Sequence, residues 1–323
     1  MLNTHKVVII GAGHVGSHVA LALIQSGEAD DIVLIDNETF AVAQAMDLDD
    51  AVSGSVSGRD VRVRTGTYDD LNDADILVMA FGRSRRPGET RLDQLSYSLA
   101  MADDVIMQLQ AVQFNGIMIS ISNPADIICE YIRWSMGWNR QRCFSTGTSL
   151  DTFRLISAVA GTFGCSRSSV QGFCMGEHGA SGFVVWSHVY INGISLQDFM
   201  VQKPQFRTVS LDHLQQVVRQ AGDLEIKGKG STEYGIGNVA NLIISAIFHD
   251  QKLLWPCSVS LKGEYGQTDV AAGIPCIIGR QGIEGVCEIS LTEEERQQFV
   301  SSCQIIRKRL EWIKACYNPN SGC

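Results

Sequence analysis

The sequence carries no excess of positive charge: 26 Lys and Arg stand against 35 Asp and Glu, for a formal net charge of -9. That balance argues against nonspecific nucleic-acid binding, which requires a basic face. No uninterrupted apolar run reaches the roughly 18 residues of a membrane span, so no membrane partner is expected. No signal-peptide arrangement opens the chain, because its first apolar run leads straight into a glycine motif; a cytoplasmic protein is the expectation. The ten cysteines are scattered and none forms Cys-x-x-Cys. They read as reduced thiols, not as a disulfide frame or zinc module. Cys174 and His178 lie four apart, but two ligands alone do not make a metal site, and no metal is expected. Repeats, low-complexity tracts and a proline- or serine-rich linker are also missing. Any two halves of the chain should therefore share a broad interface.

What is present suits a globular protein with a real core: 45% hydrophobic against 19% charged residues in a chain of 323, long enough for two domains or one large one. Lys6 to Ile10 is a short run rich in β-branched residues. It leads into Gly11-Ala12-Gly13-His14-Val15-Gly16, then a helical pattern, then the apolar run Ile32 to Ile35, which ends at Asp36. Strand, glycine turn, helix, strand and acid, with Asp36 20 residues after Gly16, is the order of a dinucleotide fold. Gly11 permits a tight turn, Gly13 lets the backbone approach a pyrophosphate, and Gly16 lets the helix pack on the sheet. His14 and Val15 complete the loop. Asp36 can accept both ribose hydroxyls and would repel the extra phosphate of NADP, so the expected cofactor is NAD.

The alternation continues with a helix over Gln44 to Ala51 and strands at Val61 to Thr65, Ile76 to Ala80, Ile117 to Ile121 and Cys143 to Ser145. A long helix is expected from Leu95 to Phe114. The fold class is α/β: a doubly wound parallel Rossmann sheet over residues 1–147, followed by an α+β substrate domain over 148–323. In the second half, helices are expected at Thr152 to Gly164, Leu211 to Ile226 and Tyr234 to His249. Strand candidates lie at Cys257 to Leu261, Pro275 to Ile278 and Gly285 to Glu288, and Thr292 should cap a final helix.

Polar groups collect at the carboxyl ends of these strands. Arg83 to Arg91 holds four arginines and one glutamate in a loop at about 82–92, placed to close over an anionic ligand. Asn123 can orient an amide or a carbonyl. Asp151 and Arg154, three apart, share a helix face. His178 sits in Gly176-Glu177-His178-Gly179 after an apolar strand. Taken singly, each admits a structural reading: a solvated loop, a surface salt bridge, a packed histidine.

Together, GAGHVG, RPGETRLD (Arg86 to Asp93), ISNPAD (Ile121 to Asp126), STGTSLDTFR (Ser145 to Arg154) and GEHG resemble, in this order, the L-lactate and L-malate dehydrogenase family, including its L-2-hydroxyisocaproate branch. The resemblance runs from Gly11 to the final helix. It implies an NAD-dependent L-2-hydroxyacid dehydrogenase acting on small 2-oxoacids and 2-hydroxyacids, assembled as a homodimer or homotetramer. It assigns His178 the proton transfer, Asp151 the orientation of the imidazole, Arg154 the substrate carboxylate, and Arg91 the polarisation of the carbonyl. Asn123 would orient substrate and nicotinamide, and Thr232 would line the substrate pocket. Arg85 occupies the position where malate enzymes carry an arginine for a second carboxylate, so malate and oxaloacetate are the expected pair. Lactate, or a bulkier branched or aromatic 2-hydroxyacid, is the alternative, because Glu89 is the residue of the lactate enzymes. Ala180 replaces the usual aspartate after GEHG. Ile156 and Gln171 stand where activated bacterial enzymes carry arginine and histidine, so no activation by fructose 1,6-bisphosphate is expected. A non-catalytic NAD(H)-binding sensor is the remote alternative.

Overall fold

The computed structural model describes residues 4–83 and 91–317. A sheet of nine strands carries the molecule. Its first half is β1 (Lys6–Ile10), α1 (His14–Ser26), β2 (Asp31–Ile35), α2 (Glu38–Ser53), β3 (Arg62–Thr65), β4 (Ile76–Met79), α3 (Arg91–Ala111), β5 (Ile117–Ser120), α4 (Ala125–Met136) and β6 (Cys143–Ser145). These strands pair in parallel, in the order β3-β2-β1-β4-β5-β6. Helices cover both faces of such a sheet, so its central strands have no wet side and need no polar alternation. Every residue of β1, β4 and β5 is accordingly buried. Strand order reverses between β1 and β4, which is where an open α/β sheet leaves a crevice for ligands.

The sheet does not stop at β6. After α5 (Ser149–Phe163) come five two-residue strands: β7 (Val170–Gln171), β8 (Cys174–Met175), β9 (Phe183–Val184), β10 (Tyr190–Ile191) and β11 (Ile194–Ser195). Helices α6 (Leu196–Gln202), α7 (Leu211–Lys229) and α8 (Tyr234–Phe248) follow, then β12 (Leu253–Lys262), β13 (Thr268–Gly279), β14 (Gly282–Val286) and α9 (Glu293–Cys316). β12 joins the edge of the parallel sheet antiparallel to β6, with Ser258 opposite Ser145, and carries β13 and β14 with it. The six-strand sheet read from sequence is thus extended by three strands from the second half. One continuous core runs from Val7 through Phe183 and Ile244 to Ile313, joining both halves as the missing linker implied. A smaller core, around Leu155, Phe163 and Val218, lies under α7. α8 crosses α1 so closely that a methyl on Gly237 would stand 2.8 Å from the His18 carbonyl oxygen.

Several boundaries differ from the sequence reading, among them two helix starts and the longer strands β12 and β13. α2 begins at Glu38, well before Gln44, because its only buried residues are Ala41, Ala45 and Leu48 and its outer face gives little apolar period. α5 begins at Ser149, so Asp151 lies within its first turn. At the other end, Thr292 caps α9 as expected, accepting the Glu295 amide while Glu295 reaches back to the Thr292 amide. Among the described residues, no helix is long and apolar enough to cross a membrane.

Candidate active site

The glycine loop forms a cradle at the end of β1. Gly11 has φ +97°, and a side chain there would come within 2.6 Å of the Ala80 and Phe81 backbone. A Cβ on Gly16 would meet the Gly11 carbonyl oxygen at 1.8 Å, so α1 packs against the turn as only glycine permits. Among the described residues, nothing lies within 4 Å of a Cβ built on Gly13, leaving open space at the point where a phosphate must approach. Among the described residues no side chain caps α1, and its first amides are donors of the kind that favour an anion. Asp36 stands beside this loop, accepting the Ala12 amide at 2.7 Å and the Asn37 amide at 2.7 Å. His14 is exposed, with Nδ1 3.4 Å from Glu233 Oε1, and Val15 packs against the core. The cradle and its neighbouring acid therefore fit a dinucleotide with free ribose hydroxyls.

A second cluster is built from three segments. Asp151, at the start of α5 where helix polarity favours an anion, accepts His178 Nδ1–H on Oδ2 at 2.8 Å and Arg154 Nη1–H on Oδ1 at 3.0 Å. His178 follows β8 on a loop fixed from several sides. Its amide donates to Asp126 Oδ2 at 2.9 Å, Gly176 exchanges two backbone bonds with Gly273 of β13, and the Glu177 amide donates to Ser302 Oγ. Gly176, with φ +91°, brings its Cα so close to α9 that a Cβ would stand 2.6 Å from Ser302 Oγ. The imidazole is thus oriented by Asp151 while its backbone is held by Asp126.

These contacts set the protonation states. Burial opposes charge on His178, but Asp151 at hydrogen-bond distance outweighs it and Asp126 adds to the effect, so the imidazole titrates above its ordinary range. Burial also opposes charge on Asp151, yet His178 and Arg154 together hold its carboxyl below the usual carboxylate range. Asp126 goes the other way: complete burial pushes it up to about 6, against smaller opposing contributions from Ser258 and His178.

Arg154 is buried on two sides. Nη1 is taken by Asp151, and Nη2 donates to Glu225 Oε2 of α7 at 2.9 Å. Thr232, just before α8, donates its hydroxyl to the same Glu225 oxygen at 2.7 Å. Asn123 lies between β5 and α4, its carbonyl accepting Ser98 Oγ–H at 2.9 Å. Asp151, Arg154 and His178 are therefore brought together as the sequence reading requires, with Thr232 beside them through Glu225. Arg85 lies outside the described residues, as does the side chain of Arg91, which begins α3. Cys174 is buried in β8, and no group of three or more His, Cys, Asp or Glu gathers as a metal site among the described residues.

Sequence reasoning missed two residues here. Asp126 ends the ISNPAD motif, but its bond to the His178 backbone spans 52 positions and leaves no local signal. Glu225 sits in an amphipathic helix, where an acid reads as part of the solvated face.

Known proteins extend this picture. The family model described as the lactate/malate dehydrogenase NAD binding domain matches residues 5–145, and the lactate/malate dehydrogenase alpha/beta C-terminal domain matches 148–316. An L-lactate dehydrogenase 3 from Bacillus cereus is 38% identical over 313 residues, covering 96% of this chain and 98% of the relative. An L-lactate dehydrogenase from Fusobacterium nucleatum is 37% identical over 314 residues, with 96% and 98% covered. The ligand-bound crystal structure of the minor L-lactate dehydrogenase from Enterococcus mundtii superimposes with a TM-score of 0.92 at 32% identity, covering 97% of this chain and 99% of that one. These names carry lactate, not the malate expected from Arg85. With both halves matched and relatives above 30% identity along nearly the whole chain, the protein belongs to the lactate/malate dehydrogenase family and is an NAD-dependent oxidoreductase acting on a CH–OH group.

Proposed function

We propose that the protein is an L-2-hydroxyacid dehydrogenase that reversibly reduces a 2-oxoacid, with pyruvate and L-lactate as the preferred pair. The single observation that carries the chemistry is the 2.8 Å bond from His178 Nδ1 to Asp151, with Arg154 on the other oxygen of the same carboxylate. Bound NADH supplies the hydride to the carbonyl carbon. His178, tied at Nδ1, presents Nε2 to the ketone oxygen and gives it a proton; in the reverse direction it removes the hydroxyl proton. Asp151 fixes the tautomer and favours the charged imidazole. Arg154 grips the substrate carboxylate through its planar fork, with Thr232 and Asn123 orienting the rest of the molecule. Arg91 stabilises charge developing on the carbonyl oxygen. Gly11, Gly13, His14, Val15 and Gly16 hold the pyrophosphate, and Asp36 accepts the adenosine ribose hydroxyls.

The relatives' names favour lactate. Arg85, two before Pro87, favours a second reading, malate and oxaloacetate. Rates of NADH oxidation with pyruvate, oxaloacetate and 2-oxoisocaproate decide between them. The proposal expects the highest kcat/KM for pyruvate. A higher value for oxaloacetate moves the assignment to malate, and one for 2-oxoisocaproate to the bulkier branch. NADH binding without turnover of any 2-oxoacid leaves only a sensor. Self-association and a cytoplasmic location belong to the same proposal; a monomer in sedimentation velocity removes the first.

Cofactor choice gives a further expectation. A like charge about 4 Å from Asp36 is opposed by about 1 kcal/mol in water and about 4 kcal/mol at a protein surface. Asp36→Ala should therefore raise the NADPH-to-NADH ratio of kcat/KM by roughly one to three decades. An unchanged ratio removes Asp36 from the ribose site.

The pH dependence has a definite sign. Reduction needs the protonated imidazole, so its rate falls as pH rises through the His178 pKa. Asp151 holds that pKa above the ordinary imidazole range, so reduction persists to higher pH than an unassisted histidine allows, while oxidation is lost on the acid side. Asp151→Asn removes the charge and should move the alkaline limb of reduction to lower pH. A limb that stays in place, measured with saturating NADH, refutes this coupling.

A further inference from the structure

The group proposed to grip the substrate carboxylate is already shared with an acid that the proposed mechanism does not use. Glu225 Oε2, on α7, accepts Arg154 Nη2–H at 2.9 Å and the Thr232 hydroxyl at 2.7 Å. One carboxylate oxygen thus bridges the two side chains assigned to the substrate pocket. Gly222, one turn earlier on α7, lets this happen: a Cβ there would stand 3.0 Å from Arg154 Nη2, so the guanidinium lies against the α7 backbone beside Glu225. Among the described residues, Arg154 Nε is buried without a hydrogen-bond partner, while Glu225 holds the neighbouring Nη2. The Arg154 side chain is only 12% exposed, whereas Glu225 is 39% exposed and can turn outward.

Charge decides what such a site accepts. Asp151 and Glu225 both face the single charge of Arg154. A substrate with one carboxylate shares that guanidinium by displacing Glu225 from Nη2. A substrate with two carboxylates adds one more negative charge to a pocket where Asp151 and Glu225 already outnumber the one guanidinium, a repulsion worth roughly ten-fold or more in binding. We propose that Glu225 is a specificity-determining residue, which selects 2-oxoacids without a second carboxylate by placing its own carboxylate against Arg154 and Thr232. This assignment rests on the dehydrogenase reading of Arg154 and Thr232 given above.

The test is the ratio of kcat/KM for oxaloacetate to that for pyruvate, in the wild type and in Glu225→Gln, Glu225→Leu and Glu225→Asp, with NADH binding by fluorescence as the check on folding. Removing the charge in Glu225→Gln should raise the ratio by about tenfold or more. Glu225→Leu, which also removes the polar group, should move it in the same direction, while Glu225→Asp keeps the acid and should leave the ratio near the wild-type value. An unchanged ratio in both uncharged variants, with NADH bound and pyruvate turned over, overturns the role of Glu225 and leaves the dehydrogenase reading intact. A rise in Glu225→Asp equal to that in Glu225→Gln overturns it too, because loss of shape then suffices. A wild-type protein that binds NADH but turns over no 2-oxoacid overturns the dehydrogenase reading, and this inference with it.

Discussion

His178→Ala lowers kcat/KM for 2-oxoacid reduction by about two to four decades, the range over which a positioned acid or base contributes. The proton for the ketone oxygen must come from a group that is charged near neutral pH and held in one orientation. His178 meets both conditions: Asp151 accepts at Nδ1 and keeps the imidazole protonated above its ordinary range. Its backbone is fixed by Asp126 and by the Gly176–Gly273 pair, so the ring has little freedom to stray. The loss should appear in kcat, since the proton is passed in the transition state and not in the ground state. NADH affinity should stay within about threefold of wild type, because the cradle from Gly11 to Gly16 belongs to a different strand end. A variant retaining wild-type kcat/KM would remove His178 from the reaction.

The second large effect is expected at Arg154. Two charge-assisted bonds to a substrate carboxylate contribute about 1.5–3 kcal/mol each, so Arg154→Leu should lose roughly two to four decades in kcat/KM. Much of that loss falls on KM, unlike the loss in His178→Ala. Arg154→Lys restores the charge but not the fork, and should recover only part of it. The leucine variant also leaves Asp151 with one cationic partner instead of two, which alters the pH profile along with the affinity. Equal kcat/KM for Arg154→Leu and wild type would show that the substrate carboxylate binds elsewhere.

The sequence was most legible where geometry is local. The turn from Gly11 to Gly16 needs glycine for backbone reasons confined to a few residues, and Asp36 follows at the next strand end. Asp151 and Arg154 share a face because three positions on a helix always do. The parallel strands were visible as apolar runs because both their faces are covered. Less legible were contacts that span the chain. β12 extends the sheet through Ser258 opposite Ser145, a pairing across 113 positions that no local pattern signals. Strands β7 to β11 are two residues each, too short to show an alternation. Asp126 and Glu225 were invisible as site residues because an isolated acid reads as surface until its partner is known. Arg85 shows the converse: its residue type pointed to malate, while the named relatives point to lactate.

The proposed reaction is hydride transfer between NADH and C2 of a 2-oxoacid, with His178 supplying the proton. Reduction of pyruvate with NADH carrying deuterium at both C4 positions tests it, with the product examined for label position and handedness. The expected product is L-lactate with one deuterium at C2, formed by the wild type and slowed by about two to four decades in His178→Ala. Unlabelled lactate, D-lactate, or equal rates for the two proteins would contradict it.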